Sequence, residues 1–468
     1  MNIKSIVSFA IGPIGGAFLG FITLPITAWF FSAEDIGRIA LLQIVVALST
    51  MLFGLGLDQA YVREYHEKEK KSALWKNCAF PGLLLLVVTS VFFIVNPYLI
   101  SEWLFSIESI FTSFLVILIL VCNYLIRFFS LILRMQEKGF LFSMSQIWPK
   151  LFNILILLFF VLFIYQREFI NLLLALALSN LIACLIFAWN THETWLKFEG
   201  VFIELKELKK LLTFGAPLII GGLAYWGLNS LDRMFLRVYS DFEQLGIYSL
   251  AISFAGVAII VQSIFSTVWV PIVYKWLKNN ENLDKVYDVA GFILIIIVFI
   301  FSSVGLFSDI ISMILPEKYN LVQYIVLPAL AAPLLYTLSE ATCVGIGVSR
   351  KSYLSLYASL GALFSAILLN FLLTPRLGAI GASISSSLAF FVFLVLRTEF
   401  SIRAWRYFPR LRLYCIIVFI LSVAISNSIL QDRYYWIFKF IWLVVFLLSA
   451  IHVYKLVFII KKYRNLSI

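Results

Sequence analysis

The chain has 468 residues, of which 62% are hydrophobic and only 13% charged, and its mean hydropathy is +0.99. A soluble domain carries about one-quarter charged residues, so a water-soluble enzyme is excluded. The net charge of +11 does not imply a nucleic-acid partner, because the basic residues lie in short connections between apolar segments and form no Arg/Lys-rich domain.

Fourteen apolar segments follow one another, over 5–31, 36–57, 74–100, 107–133, 144–165, 168–190 and 207–229, then 244–274, 286–311, 320–346, 352–374, 378–397, 411–430 and 434–458. About 20 such residues cross the roughly 30 Å hydrocarbon core. Backbone groups in lipid must be satisfied internally, which leaves helices, since the alternation of an outer-membrane barrel is absent. The first segment follows MNIK without a plausible cleavage site and reads as a retained helix rather than a signal peptide. The divisions at QREF (from Gln166) and TPRLG (from Thr374) are the tightest turns.

Charge bias tests the count independently. With the N-terminus inside, 27 of the 36 basic residues fall in cytoplasmic connections and eight fall outside, with Lys150 just inside a span. Fourteen crossings with both ends cytoplasmic satisfy this bias. No connection accommodates a folded extramembrane domain, and no GxxxxGK[ST] loop is present, so the chain holds no ATPase. The five cysteines and three histidines show no metal-ligand spacing, and neither a metal nor a cofactor is expected.

Two windows resemble each other. The first runs from Lys4 (KSIVSFAIGPIGGAFLGFITLPITAWFFSAEDIGRIALL) and the second from Lys209 (KKLLTFGAPLIIGGLAYWGLNSLDRMFLRVYSDFEQLGIYSL). Each passes a Gly-Gly pair and turns at an acidic-x-(Ile/Leu)-Gly corner. The fold expected is therefore an all-α polytopic membrane protein with two six-helix lobes around a central cavity, 1–200 and 201–400. Two additional helices occupy 401–468. An even number of spans per repeat keeps the copies parallel.

Charges within spans default to a functional hypothesis. Asp58 and Arg63 follow the second span and either hold the chain or line the cavity. Arg127 and Arg134 share a face two helical turns apart, with Arg127 the deeper; Lys150 lies near a span start. Asn229, Arg233 and Arg237 share a face if the seventh helix continues, and forked guanidinium donors suit phosphate or a uronic acid. A headgroup-anchored helix end is the plainer reading of that stretch. Asp232 cannot face Arg233 directly but can pair across to another helix. Glu340, flanked by Thr337, Ser339 and Thr342, looks the most buried carboxylate of the chain, as a structural acid or an ion-coupling group.

Several passages carry a resemblance: Gly56-Leu57-Asp58, Asp232-Arg233, Gly246-Ile247-Tyr248, Trp269-Val270-Pro271, Asn370, Pro375, and Gly378 through Gly381-Ala382. With the span pattern, they resemble the bacterial polysaccharide biosynthesis flippases, of the O-antigen or capsule repeat-unit type. These belong to the multidrug/oligosaccharidyl-lipid/polysaccharide exporter superfamily. The resemblance implies a non-enzymatic flippase of the bacterial inner membrane that moves undecaprenyl-diphosphate-linked oligosaccharide units from the cytoplasmic to the periplasmic leaflet. A polysaccharide polymerase and a chain-length regulator would act afterwards. It also implies cationic cavity residues, matched here by Arg233, Arg127 and Lys150. The coupling ion, proton or sodium, is left open, with Asp232 and Glu340 as candidates. The alternatives are a multidrug/cation antiporter and a lipid II flippase of the same superfamily. The last two helices weigh against the antiporter, and a cavity less rich in cations weighs against the lipid II flippase.

Overall fold

A computed structural model describes residues 3–164, 167–197, 204–279 and 284–466; the turn at Gln166 lies outside them. Among the described residues all regular structure is helical and no strand occurs. Twelve stretches are long and apolar enough to cross a membrane. Large apolar side chains such as Trp436, Met313 and Leu162 stand exposed on the outer faces, as lipid-facing positions require. This is an all-α polytopic membrane protein.

The chain forms two compact units, 1–226 and 227–468. The first contains α1 (Ile3–Phe30), α2 (Ala33–Gly54), α3 (Leu57–Glu64), α4 (Lys71–Val95), α5 (Leu99–Phe105), α6 (Ile110–Met135), α7 (Gly139–Phe163), α8 (Phe169–Asn190), α9 (His192–Trp195) and most of α10 (Leu205–Tyr239). Lipid offers little hydrophobic drive between helices, so close backbone approach through small residues does the work. Gly12, Gly15 and Gly16 of α1 give this approach. A Cβ at Gly12 would stand 2.8 Å from the Ser143 backbone of α7, and one at Gly15 would stand 2.9 Å from Ile147. Aromatic pairs pack α4 against α6 and α7 against α8. Trp75 stacks on Phe129 at 5.7 Å, and Trp148 on Phe187 at 5.4 Å. Buried Tyr124 donates its hydroxyl to the Ala79 carbonyl at 2.8 Å.

The second unit takes the end of α10, then α11 (Phe242–Ala255), α12 (Val257–Lys278), α13 (Lys285–Phe307), α14 (Asp309–Ile314), α15 (Val322–Ala329), α16 (Ala331–Thr342), α17 (Val344–Val348), α18 (Tyr353–Ala404), α19 (Leu411–Leu430) and α20 (Tyr435–Leu466). Continuous helix over α18 would measure about 78 Å, far beyond a bilayer core. Gly378 breaks it, at φ 54° and ψ −130°, within the turn expected at TPRLG. The small residues that follow are buried, and the Ser383 hydroxyl reaches the Ile325 carbonyl of α15 at 3.0 Å. Trp442 of α20 is fully buried against Gly305 of α13, where a Cβ would fall 2.5 Å from the indole.

Both windows of the apparent repeat fold as a long helix, a tight corner and a second helix. At the corners Ser32 caps the Asp35 amide at 3.0 Å and Asp241 caps the Gln244 amide at 2.7 Å, satisfying amides that have no partner inside the helix. Several boundaries shift from the sequence reading, most of all at the seventh helix. The seventh helix does not end near residue 229 but continues to Tyr239. Leu228, Asp232 and Leu236, one turn apart and buried, give the helix an inward face here although the charges between them suggest a surface.

Candidate functional site

The charged residues of the first unit gather where α2 gives way to α3. Leu55 and Gly56 both adopt positive φ, 52° and 67°, so the chain turns and restarts as α3 with Asp58 in its first turn. A carboxylate there faces the positive end of the helix dipole. Arg127 of α6 reaches it, with Nη2 2.7 Å from Asp58 Oδ2, and Gln59 donates to the same oxygen at 3.0 Å. The two candidates thus form one ion pair. Arg127 keeps 43% of its side chain exposed against 19% for Asp58, so part of the guanidinium stays open to a ligand.

Arg63 takes a different position, with its guanidinium 4.3 Å from the Phe214 ring and Nε 4.0 Å from Glu64. Buried Glu64 also faces Lys210 at 3.6 Å. These contacts tie α3 to the start of α10. Lys150 of α7 donates from Nζ to the Gly16 carbonyl of α1 at 2.7 Å. Its ammonium rests over Gly20 as well, where a Cβ would stand 3.5 Å away. A glycine surface therefore receives this lysine, and no carboxylate is bonded to it among the described contacts.

A pair held partly in solvent contributes roughly 1 kcal/mol or less. Asp58→Asn and Arg127→Gln are accordingly expected to cost little stability singly, with a coupling energy of about 1 kcal/mol in a double-mutant cycle. The charge-swapped Asp58→Arg/Arg127→Asp protein is expected to recover the melting temperature of the wild type. A melting temperature in the swap as low as in the single variants would mean that the two side chains do not pair.

In the second unit the continuity of α10 puts Asn229, Arg233 and Arg237 on one face at successive fours. Asn229 is exposed, and both arginines are half-buried. Arg237 lies 4.5 Å over the Phe242 ring. The Arg233 Nε is buried without a hydrogen-bond partner. Asp232 turns the other way, into the bundle. Its Oδ2 accepts from the Tyr248 hydroxyl of α11 at 2.6 Å and its Oδ1 from Asn370 Nδ2 of α18 at 2.8 Å. Thr374 then donates to Asn370 Oδ1 at 2.8 Å. Asp232, Tyr248, Asn370 and Thr374 are each at most 2% exposed. This gives Asp232 the cross-helix partners that its position beside Arg233 required.

Glu340 is not the most buried carboxylate of the chain. Among the described residues it is only half-buried, while Asp232 is 2% exposed. Polar neighbours along α16 made it look enclosed, yet its carboxylate opens towards α12 and accepts from Ser266. Trp269 Nε1 holds the Glu340 backbone carbonyl at 3.1 Å.

Tyr248 and Asn370 were visible as motif residues but not as site candidates; what marks them, a buried carboxylate on another helix, is invisible along the sequence. Arg397, at the end of the segment 378–397, lies within α18 and donates to Ser339 Oγ at 2.8 Å. No group of three or more metal-ligating side chains occurs among the described residues.

Comparison with known proteins bears on this arrangement. The model of the family described as "Polysaccharide biosynthesis protein" matches residues 3–276. A curated Lsg locus protein of Haemophilus influenzae is 24% identical over 401 residues, covering 81% of this chain and 94% of that protein. Among solved structures, the lipid II flippase MurJ in an inward closed conformation aligns with a TM-score of 0.72 at 14% identity. That alignment covers 97% of this chain and 100% of MurJ. The MATE multidrug transporter DinF-BH aligns with a TM-score of 0.58 at 15% identity, over 85% and 94% of the two chains. The MATE transporter VcmN of Vibrio cholerae aligns with a TM-score of 0.56 at 14% identity, over 86% and 96%. At these identities the structures share the fold.

Proposed function

The chain belongs to the polysaccharide biosynthesis protein family, and from that premise we propose that it is a flippase for lipid-linked saccharides. Its cargo is an undecaprenyl-diphosphate-linked oligosaccharide repeat unit of O-antigen or capsule, carried from the cytoplasmic to the periplasmic leaflet of the inner membrane. The observation that carries this reading is the cationic face of α10, where Arg233 holds a buried Nε without a hydrogen-bond partner. A charged headgroup crosses hydrocarbon only if its hydration is replaced. Arg233, Arg237 and Asn229 in the second unit, with Arg127, Lys150, Asp58 and Arg63 in the first, are the groups proposed to replace it. No bond is made or broken, and the polyprenyl tail stays in lipid.

We propose fourteen crossings, counting the helices on either side of Gly378 and of Gln431 separately among the twelve long apolar stretches. An even count with the observed basic bias supports cytoplasmic termini and two six-helix lobes, 1–200 and 201–400, followed by the pair in 401–468. Asp232 is the proposed coupling group for a proton or sodium ion, because its hydrogen bonds come from the neutral Tyr248 and Asn370 side chains and leave its charge to be met by a cation. Glu340 is the second candidate. The polymerase and chain-length regulator are proposed to take up the product.

A second reading, lipid II as cargo, is favoured by the alignment with MurJ over essentially both whole chains. Both cargoes join a sugar headgroup to a membrane-held tail, and cargo choice decides between the readings. A cation-driven multidrug antiporter is the third, with the less complete alignments to MATE transporters behind it.

A leaflet-resolved assay in proteoliposomes loaded separately with lipid-linked oligosaccharide and with lipid II separates the first two, and dye efflux reports the third. Arg233→Gln is expected to lower transport of the preferred cargo at least tenfold at unchanged protein level, the scale of one charge-assisted hydrogen bond. Wild-type transport by Arg233→Gln would return this face to a headgroup-anchored helix end.

A further inference from the structure

Arg397 differs from three half-buried cations near it in the chain or the fold of the second unit, each of which meets a carboxylate. Lys439 lies 2.7 Å from Asp309, Arg410 lies 2.7 Å from Glu399, and Arg406 lies 3.4 Å from Asp284. Each therefore has a carboxylate. The hydrogen bond of Arg397 goes from Nη1 to a neutral hydroxyl, Ser339 Oγ at 2.8 Å, and its Nε is buried with no hydrogen-bond partner. The carboxylate next along α16, Glu340, accepts from Ser266 of α12 instead.

The aromatic setting holds this guanidinium in place. Its carbon lies 5.0 Å from the Phe393 ring centre and 5.5 Å from that of Tyr336. Those two rings stack on each other at 5.9 Å with 16° between their planes. A cation over ring faces is attracted by about 0.5–1 kcal/mol at exposed sites and more when desolvated, but the rings accept no N–H in the guanidinium plane. Planar donors are thus positioned and left unused. Arg397 also lies seven residues before the end of α18 at Ala404, about 10 Å into the helix. A charge at such a position is costly unless a partner meets it.

We propose that Arg397 is an anion-binding residue of the second unit, offering the free edge of its guanidinium to a phosphate or carboxylate of the transported lipid-linked saccharide. This rests on the transport reading above. Tyr336 and Phe393 fix the plane, Ser339 fixes one end, and the Nε side completes a two-pronged contact that Lys cannot reproduce.

The test uses the purified full-length protein in nanodiscs, with farnesyl diphosphate as probe and farnesol as uncharged control. Competition by inorganic diphosphate and by glucuronate separates a phosphate source from a sugar carboxylate. The wild type is expected to bind the diphosphate in preference to farnesol, with displacement by at least one of the two anions. Arg397→Gln is expected to weaken binding about tenfold or more. Arg397→Lys, which keeps the charge and guards against a folding failure of the first variant, is expected to weaken it several-fold. Wild-type affinity in either variant, or equal binding of diphosphate and farnesol by the wild type, would overturn the proposal and leave Arg397 a packing residue between α16 and α18. Transport measured on the same preparations keeps the two readings apart. Normal flipping without anion discrimination removes the Arg397 site alone. Arginine-dependent anion binding without flipping of any lipid-linked cargo removes the transport reading and leaves the site.

Discussion

Asp232→Ala is expected to abolish transport and to destabilise the second unit by several kcal/mol, while Asp232→Asn is expected to keep the fold and lose the dependence of transport on the coupling cation. The argument starts from satisfaction of buried groups. Removing the carboxylate strands the Tyr248 hydroxyl and one N–H of the Asn370 amide, which otherwise bonds only the Ala366 carbonyl at 2.9 Å, in a site at most 2% exposed. Each stranded donor costs about 1–3 kcal/mol, and water cannot reach them as it would at a surface. Asparagine retains one acceptor oxygen and nearly the same volume, so packing survives. What it cannot retain is the negative charge that a proton or sodium ion would neutralise. Thermal unfolding in detergent reads the first effect, and transport with sodium replaced by choline, at two pH values, reads the second. If Asp232→Asn transports with the same ion dependence as the wild type, Asp232 is a structural acid and coupling falls to Glu340 or to product removal.

The fold was legible to a large degree because lipid leaves so few options. Apolar length, helical satisfaction of the backbone and the turn signal at Thr374–Gly378 placed the long helices close to where they stand. Where the reading slipped, a local signal was outweighed by its surroundings. The charges of GLNSLDRMFLRVYSD suggested that α10 was ending, yet the helix continues to Tyr239 with Leu228, Asp232 and Leu236 buried along one face. Glu340 looked buried because its sequence neighbours are polar and small, but burial is decided by the helices alongside, and those enclose Asp232 instead. The site was legible as a list of charged residues but not as pairs. That Asp58 meets Arg127 across 69 positions, or Asp232 meets Asn370 across 138, depends on helix neighbours that no spacing rule encodes.

Gly56→Ala is expected to remove nearly all folded protein, whereas Gly54→Ala, two residues earlier, is expected to be silent. Gly56 lies in the left-handed region at φ 67°, and a Cβ built there falls 2.2 Å from the Gly215 carbonyl oxygen, 2.5 Å from its carbon and 2.7 Å from its Cα. Those are backbone atoms of α10 and cannot swing aside like a side chain. The left-handed conformation alone costs a residue with a Cβ about 1–2 kcal/mol. To relieve the overlap, α10 must move off the α2–α3 corner, which also disturbs the Lys68–Glu207 contact and the stacking of Arg63 on Phe214. A Cβ at Gly54 meets nothing within 4 Å, and alanine even favours the helix there. The same corner sets the first turn of α3, so relaxation at Gly56 shifts Asp58 relative to Arg127. Detergent-solubilised yield and size-exclusion profile of the two variants check the first part. A partly folded Gly56→Ala protein tests the second, because Asp58→Asn should then add no further loss of transport. A normal yield for Gly56→Ala would mean that α10 does not press on this corner in the membrane.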